Sequence, residues 1–417
     1  MLFRSLKFRS HFLQPAILCL ATLASLSLVS CTQDRDSSTP TYRIPYIDEN
    51  GQNTFRDITL TTLGSAFEMN GRAAIIYFNP SNNGQTFTGA IAQPHLGKSG
   101  SLFRPIDPQS GTVIATYAFF EKMFFYEKKV LLAGDSQISW PRIVGVYSSV
   151  DKMSPNDENN AAYIPMPQGL TEIMPFTDNG RDALAFNHGV LGHEHFHAHF
   201  DMSVQSKLAS IKSMSEVDIA SSRGCPATAN AYELKLLTIW NEGLADAYGA
   251  MVSEQPTFMT VSFGPEAARP IAIDPLPFQS AATLKKCRAI FPTLTKEKLQ
   301  AMPKDQLNEL VTSIDPHLNG AQLARAMFAV ANHDEFPALG ADAATLNKWQ
   351  RSARYLIHRL KDFKTALEKK TDWENMQPDY ALCFFFKDLN LSAETKAIVN
   401  KAFSSDYPDG VAQCGSL

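Results

Sequence analysis

The 417-residue sequence predicts an α+β fold, with a mixed N-terminal lobe over residues 43–180 and a mainly helical C-terminal lobe over 181–417. Two patterns predict it. Before residue 180, short β-branched and aromatic runs such as "RAAIIYFN" (72–79) and "RIVGVYSSV" (142–150) are bounded by turn residues, as strands are. After residue 182, apolar residues recur at helical rather than alternating spacing, in long stretches rich in Leu and Ala.

The chain opens with Arg4, Lys7 and Arg9, an apolar run broken early by Pro15, and then "LVSC", Leu28 to Cys31. This resembles the signal of a bacterial lipoprotein. The resemblance implies a signal peptide over 1–30, lipidation of Cys31 and a polar tether over 31–42. The implied location is the cell envelope, lipid-anchored, on the outer membrane of a Gram-negative bacterium, with release outside the cell left open. The alternative is an ordinary secretory signal or an N-terminal membrane helix. Losing three cations and no acid with the signal takes the formal charge from −4 to −7, which disfavours nucleic-acid binding. No later segment is apolar enough to span a bilayer. Cys225, Cys287, Cys383 and Cys414 then remain, an even set that suggests two disulfides in an exported chain. Three connectivities are open, and sequence proximity favours Cys383–Cys414 with Cys225–Cys287.

Between the two strand runs, "TVIATYAFFEKMFFYEKKVLL" spaces Tyr117, Phe120, Phe124 and Phe125 as a helix does. The stretch "NNAAYIPMPQGLTEIMPF" (159–176) divides into two extended pieces around Gly169, and its prolines suit an edge strand. In the second lobe, "AYELKLLTIWNEGLADAYGAMVSE" (231–254) reads as a long helix. Residues 303–417 supply more, in "GAQLARAMFAVANH", "ATLNKWQRSARYLIHRLKDFKTALE" and "SAETKAIVNKAF".

Residues 192–199, "GHEHFHAH", place a histidine at every second position. On a strand all four would line one face; on a helix they separate into two i, i+4 pairs about 200° apart. Phe186, Val190, His193, His197 and Phe200 form one helical stripe, so the helix is expected. His193-Glu194-His195-Phe196-His197 is then an H-E-x-x-H motif, two imidazoles one turn apart that can hold a single Zn²⁺. His195 and His199 lie off the stripe and are expected to be solvated or packed against the neighbouring lobe, not ligands of a second metal.

A third ligand is offered by "NEGLAD", where Glu242 and Asp246 share a helix face. Glu242 completes a His₂Glu set, while Asp246 and Asn241 are positioned to orient the ligand histidines. Gly243, Ala245, Ala247 and Gly249 keep this helix slim enough to approach the histidine helix. Tyr248 reads as a core tyrosine, with a second oxyanion donor as the alternative.

These segments resemble the gluzincin metallopeptidases, closest in layout to the thermolysin and fungalysin families. "NNAAY" (159–163) resembles the edge strand that pairs with substrate, "HEHFH" the zinc helix, "NEGLAD" the glutamate helix, and "DPHLNG" (315–320) the segment bearing an oxyanion-stabilising histidine ahead of a helix. The resemblance implies a zincin-like fold with the edge strand over the cleft, one Zn²⁺ on His193, His197 and Glu242, and hydrolysis of peptide or protein substrates. Glu194 would be the general base and His317 the oxyanion donor. Asn160 and Ala161 would bind substrate backbone. The chain departs from those families in the 44 residues between His197 and Glu242, in Ala162 where they carry an aromatic, and in lacking a clear acidic calcium loop. The competing expectation is a zinc-binding lipoprotein or an inactive protease-like binding module; the retained Glu194 argues against it.

Overall fold

A four-stranded sheet begins the described chain, in a segment where the sequence patterns picked out no individual strand. In this computed structural model the described residues are 39–48, 52–82, 87–131, 138–147, 161–164, 170–173, 184–212, 229–259, 301, 303, 315–370, 373, 376–404, 407 and 409–416. β1 (Thr41–Ile47) and β2 (Asn53–Thr59) pair antiparallel from Thr41 opposite Thr59 to Ile47 opposite Asn53. β8 (Leu96–Ser99) and β9 (Leu102–Pro105) form a hairpin, and β9 runs parallel to β1, giving the order β2-β1-β9-β8. Tyr42 and Ile44 point from β1 into the core while Arg43 pairs with Asp57 outside, the alternation a half-buried strand requires.

The second sheet has six strands, ordered β11-β12-β10-β5-β4-β3. Its members are β3 (Leu63–Ser65), β4 (Glu68–Gly71), β5 (Ala74–Phe78), β10 (Arg142–Val146), β11 (Ala161–Ile164) and β12 (Leu170–Ile173). The two strand runs read from the sequence are β5 and β10. They lie side by side in parallel, Ile75 opposite Ile143, with β12 parallel on the far side of β10. Parallel neighbours need a crossover, and the predicted aromatic helix, α1 (Pro108–Lys129), lies in it. The two extended pieces around Gly169 are β11 and β12, antiparallel, with β11 at the sheet edge. A two-stranded ribbon of β6 (Ser81–Asn82) and β7 (Phe87–Thr88) completes the β structure among the described residues.

The helical part follows the predicted segments closely. α2 (His188–Ser203) is capped by Asn187, whose side chain accepts the N–H groups of Gly189 and Val190 and donates to the Phe258 carbonyl. Phe186 sits in the 3₁₀ turn Leu184–Phe186 just ahead of it, so the apolar stripe starts one turn before the α-helix proper. α3 (Ala209–Lys212) is a single turn, and α4 (Ala229–Ser253) is the long "NEGLAD" helix. α5 (Pro316–Asn332) begins earlier than its apolar pattern suggests, because Asp315 caps it and Pro316 occupies its first position. His317 therefore lies inside the first turn and not ahead of the helix. α6 (Lys348–Glu368) opens with a reciprocal Asn347–Gln350 capping box. α7 (Tyr380–Phe386) and α8 (Ala393–Lys401) follow, with a Cys383–Cys414 disulfide at the C-terminal end. Cys225 and Cys287 lie outside the described residues, as do the signal-like segment, Cys31 and residues 32–38 of the tether; the last two residues of the expected tether, Thr41 and Tyr42, belong to β1, with Tyr42 buried. None of the described helices is long and apolar enough to cross a membrane.

The larger apolar core of the described residues runs from Tyr42 and Ile76 on the sheets to Leu237, Met327 and Phe363 on the helices. Among its close contacts are two helix crossings. A Cβ on Gly249 would fall 2.5 Å from the Gly189 carbonyl oxygen of α2, and one on Gly243 would fall 2.3 Å from the Gly320 oxygen of α5. The small residues of α4 thus serve two neighbours, not one. Gly249 admits α2 as the sequence suggests, and Gly243 admits α5. Because an added methyl would press on backbone that has no room to yield, Gly243→Ala is expected to lower unfolding stability by about 1–3 kcal/mol in a denaturant melt. Gly415→Ala, where a Cβ meets nothing within 4 Å, is expected to leave the melt unchanged.

Candidate metal centre

α2 is buried continuously from Gly189 to Phe200, although that stretch carries four histidines and a glutamate. Buried polar groups survive only where partners meet them, and α2 has two such places. On the side facing α4, the i, i+4 spacing sets the His193 and His197 rings edge to face, with centroids 4.6 Å apart. Their Nε2 atoms lie 3.0 Å from each other. Glu242, delivered by α4, places Oε2 at 3.3 Å from His193 Nε2 and 3.8 Å from His197 Nε2.

The opposite nitrogens of both rings are held from behind. His197 Nδ1 donates to Asn241 Oδ1 at 3.0 Å. His193 Nδ1 lies 2.8 Å from Asp246 Oδ1, in fully buried surroundings. The ring N–H of His193 points off that oxygen by too much for a well-aligned hydrogen bond, so the pair is a close polar contact that a small ring rotation would align. Since Asn Oδ1 and a carboxylate can only accept, both protons belong on Nδ1 and both Nε2 atoms present lone pairs. Two imidazole lone pairs and a carboxylate oxygen then converge on one point and repel one another unless a positive charge, a metal ion or the extra proton of a charged His193, lies among them. Donors at about 2.0–2.2 Å from a tetrahedral Zn²⁺ stand roughly 3.3–3.5 Å apart, and the observed 3.0–3.8 Å separations bracket that value. Buried His193, His197 and half-buried Glu242 form a group able to hold a metal ion.

The surroundings favour positive charge. Burial opposes ionisation of Glu242, yet the imidazoles of His197, His193 and His317 together keep its carboxyl well below the usual range. Burial opposes a charge on His193 as well, but Asp246 and Glu242 outweigh it and lift the imidazole to about 10. At His197 burial prevails and lowers the value to about 4.

Glu194 occupies the rim of the same point, with Oε1 4.0 Å from His193 Nε2. It is buried, and burial, reinforced by the Glu242 charge, raises its carboxyl to about 7 against the opposing pull of His193. Its carboxylate accepts the backbone N–H of Tyr163 on β11, which ties the edge strand to the site. His317 enters from α5. Its Nδ1 lies 3.0 Å from the capping carboxylate Asp315, and its Nε2 lies 3.3 Å from Glu242 Oε2. The Gly243–Gly320 crossing is what brings these two helices close enough for that contact.

Of the residues expected to contact substrate backbone, Ala161 is on β11 and buried, and Asn160 lies outside the described residues. Tyr163 was not anticipated. Its ring stands 6.5 Å from that of His197, and its hydroxyl donates to Asp201 Oδ2 at 3.1 Å. Its signal is the strand alternation itself, two residues beyond Ala161 on the same face. Asp315 was also missed as a positioning residue, although the Asp-Pro pair marks a helix start. Tyr248 is a fully buried ring packed on Phe196 and His199, a core position.

His195 and His199 are not solvated. They are packed against α1, 0% and 1% exposed, and face Glu127. Of the two expectations for them, solvated or packed against the neighbouring lobe, the second holds, because this part of α2 has no solvent side. No protein-family model matches the chain, and no curated protein matches it.

Removing the acceptor behind a ligand ring loosens its orientation and lowers its basicity. Asp246→Ala is therefore expected to weaken divalent-metal binding by about 10–100-fold, read by competition with a chromophoric chelator.

Proposed function

We propose that the chain is a zinc-dependent peptidase of the cell envelope, a gluzincin-like enzyme that hydrolyses peptide bonds. The observation that carries this assignment is Glu194, a buried carboxylate 4.0 Å from a ligand-set nitrogen. A site meant only to store a cation gains nothing from a carboxylate placed beside, and not within, its donor set. A hydrolase needs a base in that place.

His193, His197 and Glu242 would hold the ion, and their mixture of two imidazoles and one carboxylate suits Zn²⁺ with a fourth position left open. When bound, Zn²⁺ supplies Lewis acidity, bringing its water toward a neutral pKa and polarising the scissile carbonyl. Glu194 takes a proton from the attacking water on its carboxylate and returns it to the departing amine. His317, braced through Nδ1 by Asp315, presents Nε2 to the developing oxyanion. β11 pairs on one side with β12 and, among the described residues, is the terminal strand of its sheet, so its other edge would take an extended substrate. Backbone pairing of that kind gives affinity with little sequence preference, and Ala161, with Asn160 before it, would supply the contacts. An antiparallel edge strand next to an H-E-x-x-H helix, with a glutamate helix after it, is consistent with a zincin-like architecture. The lipobox-like "LVSC" supports a lipid anchor on Cys31, which would hold the enzyme at a membrane surface.

Glu194→Gln is expected to retain Zn²⁺ while casein hydrolysis falls by about 10²–10⁴-fold. Wild-type-like hydrolysis by that variant would overturn the mechanism. A wild type that holds zinc and cleaves neither casein nor a peptide library would favour a zinc-holding protein without turnover. His317→Ala is expected to lower kcat by about 10²–10³-fold with KM nearly unchanged, in steady-state assays on a fluorogenic peptide.

A further inference from the structure

We propose that Glu127, His195 and His199 form a second divalent-metal site, of the Zn²⁺ class, which clamps α1 to α2. The proposal is independent of the peptidase assignment. Its basis is the other half of the histidine alternation. His195 and His199 are an i, i+4 pair like His193 and His197, turned roughly 200° round the same helix. Their rings stand edge to face, 5.2 Å apart at 88°, nearly the arrangement of the first pair at 4.6 Å and 86°.

Both rings aim Nε2 at one oxygen. Glu127 Oε1 lies 2.9 Å from His195 Nε2 and 3.2 Å from His199 Nε2, so the three donor atoms are grouped as ligands of one ion are. The carboxylate is held in place from its other side, where Trp140 Nε1 donates to Oε2 at 3.1 Å. All three residues are buried.

A simple buried hydrogen bond does not account for the cluster. One proton on His195 Nε2 satisfies the 2.9 Å contact. His199 Nε2 approaches the same oxygen at 3.2 Å without the alignment of a hydrogen bond. The Tyr248 hydroxyl, on a ring 6.0 Å from that of His199, is buried and has no hydrogen-bond partner either. A cation placed among the three donors engages the His199 lone pair, and a water in its fourth position would give the Tyr248 hydroxyl a partner. His199 also lines a cavity of about 700 Å³ whose walls include Met202, Tyr355 and His358. The rival account is that the buried guanidinium of Arg142, which interacts with the Glu127 charge, already balances that carboxylate and leaves no demand for a metal.

The test is zinc stoichiometry of the purified chain after gel filtration, with anomalous diffraction at the zinc edge for location. The wild type is expected to bind two Zn²⁺, His197→Ala one, Glu127→Gln one, and the double variant none. An anomalous peak among Glu127, His195 and His199 in the wild type supports the site even if Glu127→Gln does not fold. A wild type with one Zn²⁺, equal in content to Glu127→Gln, would overturn it. So would a second equivalent that Glu127→Gln retains. Loss of hydrolysis in Glu194→Gln bears on the peptidase assignment alone and leaves this count unchanged.

Discussion

The arrangement depends on one constraint: α2 and α4 must cross closely enough for a carboxylate on one to meet two imidazoles on the other. A glutamate side chain reaches only a few ångströms from its helix axis, so ordinary helix spacing with large side chains between would leave Glu242 short. Gly192 and Gly249 remove that obstacle, because a Cβ on Gly192 would already touch the Gly249 Cα at 3.3 Å. The same approach puts Asp246 one turn further along α4, beside His193 Nδ1. Ligand and orienting residue come from one helix face, so a single packing decision sets both.

Keeping so many ionisable groups away from water is costly, and the cluster is balanced accordingly. Asp246 is fully buried, Glu194 and His193 nearly so, and each faces a group of opposite preference. Burial alone would neutralise the carboxylates, yet Glu242 is held ionised by three imidazoles while Glu194, with less compensation, is lifted to about 7. Two glutamates on the rim of one point thus acquire different characters from their surroundings, as a ligand and a base must. Removing one member of such a cluster exposes the rest to an uncompensated charge, so the polar residues hold the helices in register as firmly as the apolar ones do.

Much of this was legible in the sequence because it is local. The pairing of His193 with His197, and of Glu242 with Asp246, follows from helical spacing once the apolar stripe fixes the conformation. Gly243 and Gly249 signalled close approach, though not that they serve different neighbours. What stayed hidden depends on contacts distant in sequence. Glu127 sits in "FFYEKK" near the end of α1 and reads as a solvated charge; only the return of Trp140 and the arrival of α2 bury it. The sheet of β1, β2, β8 and β9 joins segments some sixty residues apart by a parallel contact, and a short alternating run does not announce its partner. His317 was placed ahead of a helix because the apolar repeat begins after Gly320, whereas Asp315 starts the helix by capping before any repeat is visible.

The histidine alternation follows from where α2 sits. A helix packed on one side only can turn its polar residues to solvent, and four histidines in eight residues would then cost little. α2 lies between α4 on one side and α1 on the other, with β11 and α6 also against it, so every turn must find a partner inside the protein. Histidines at i and i+4 answer one neighbour, and the pair shifted by two residues answers the opposite neighbour, because two residues advance a helix by about 200°. Each neighbour meets its pair with a carboxylate, Glu242 from α4 and Glu127 from α1. A helix that is polar on two opposed faces and apolar between them is stable only when both faces are answered at once. The composition of α2 therefore specifies the acids of two other helices as much as it specifies its own fold.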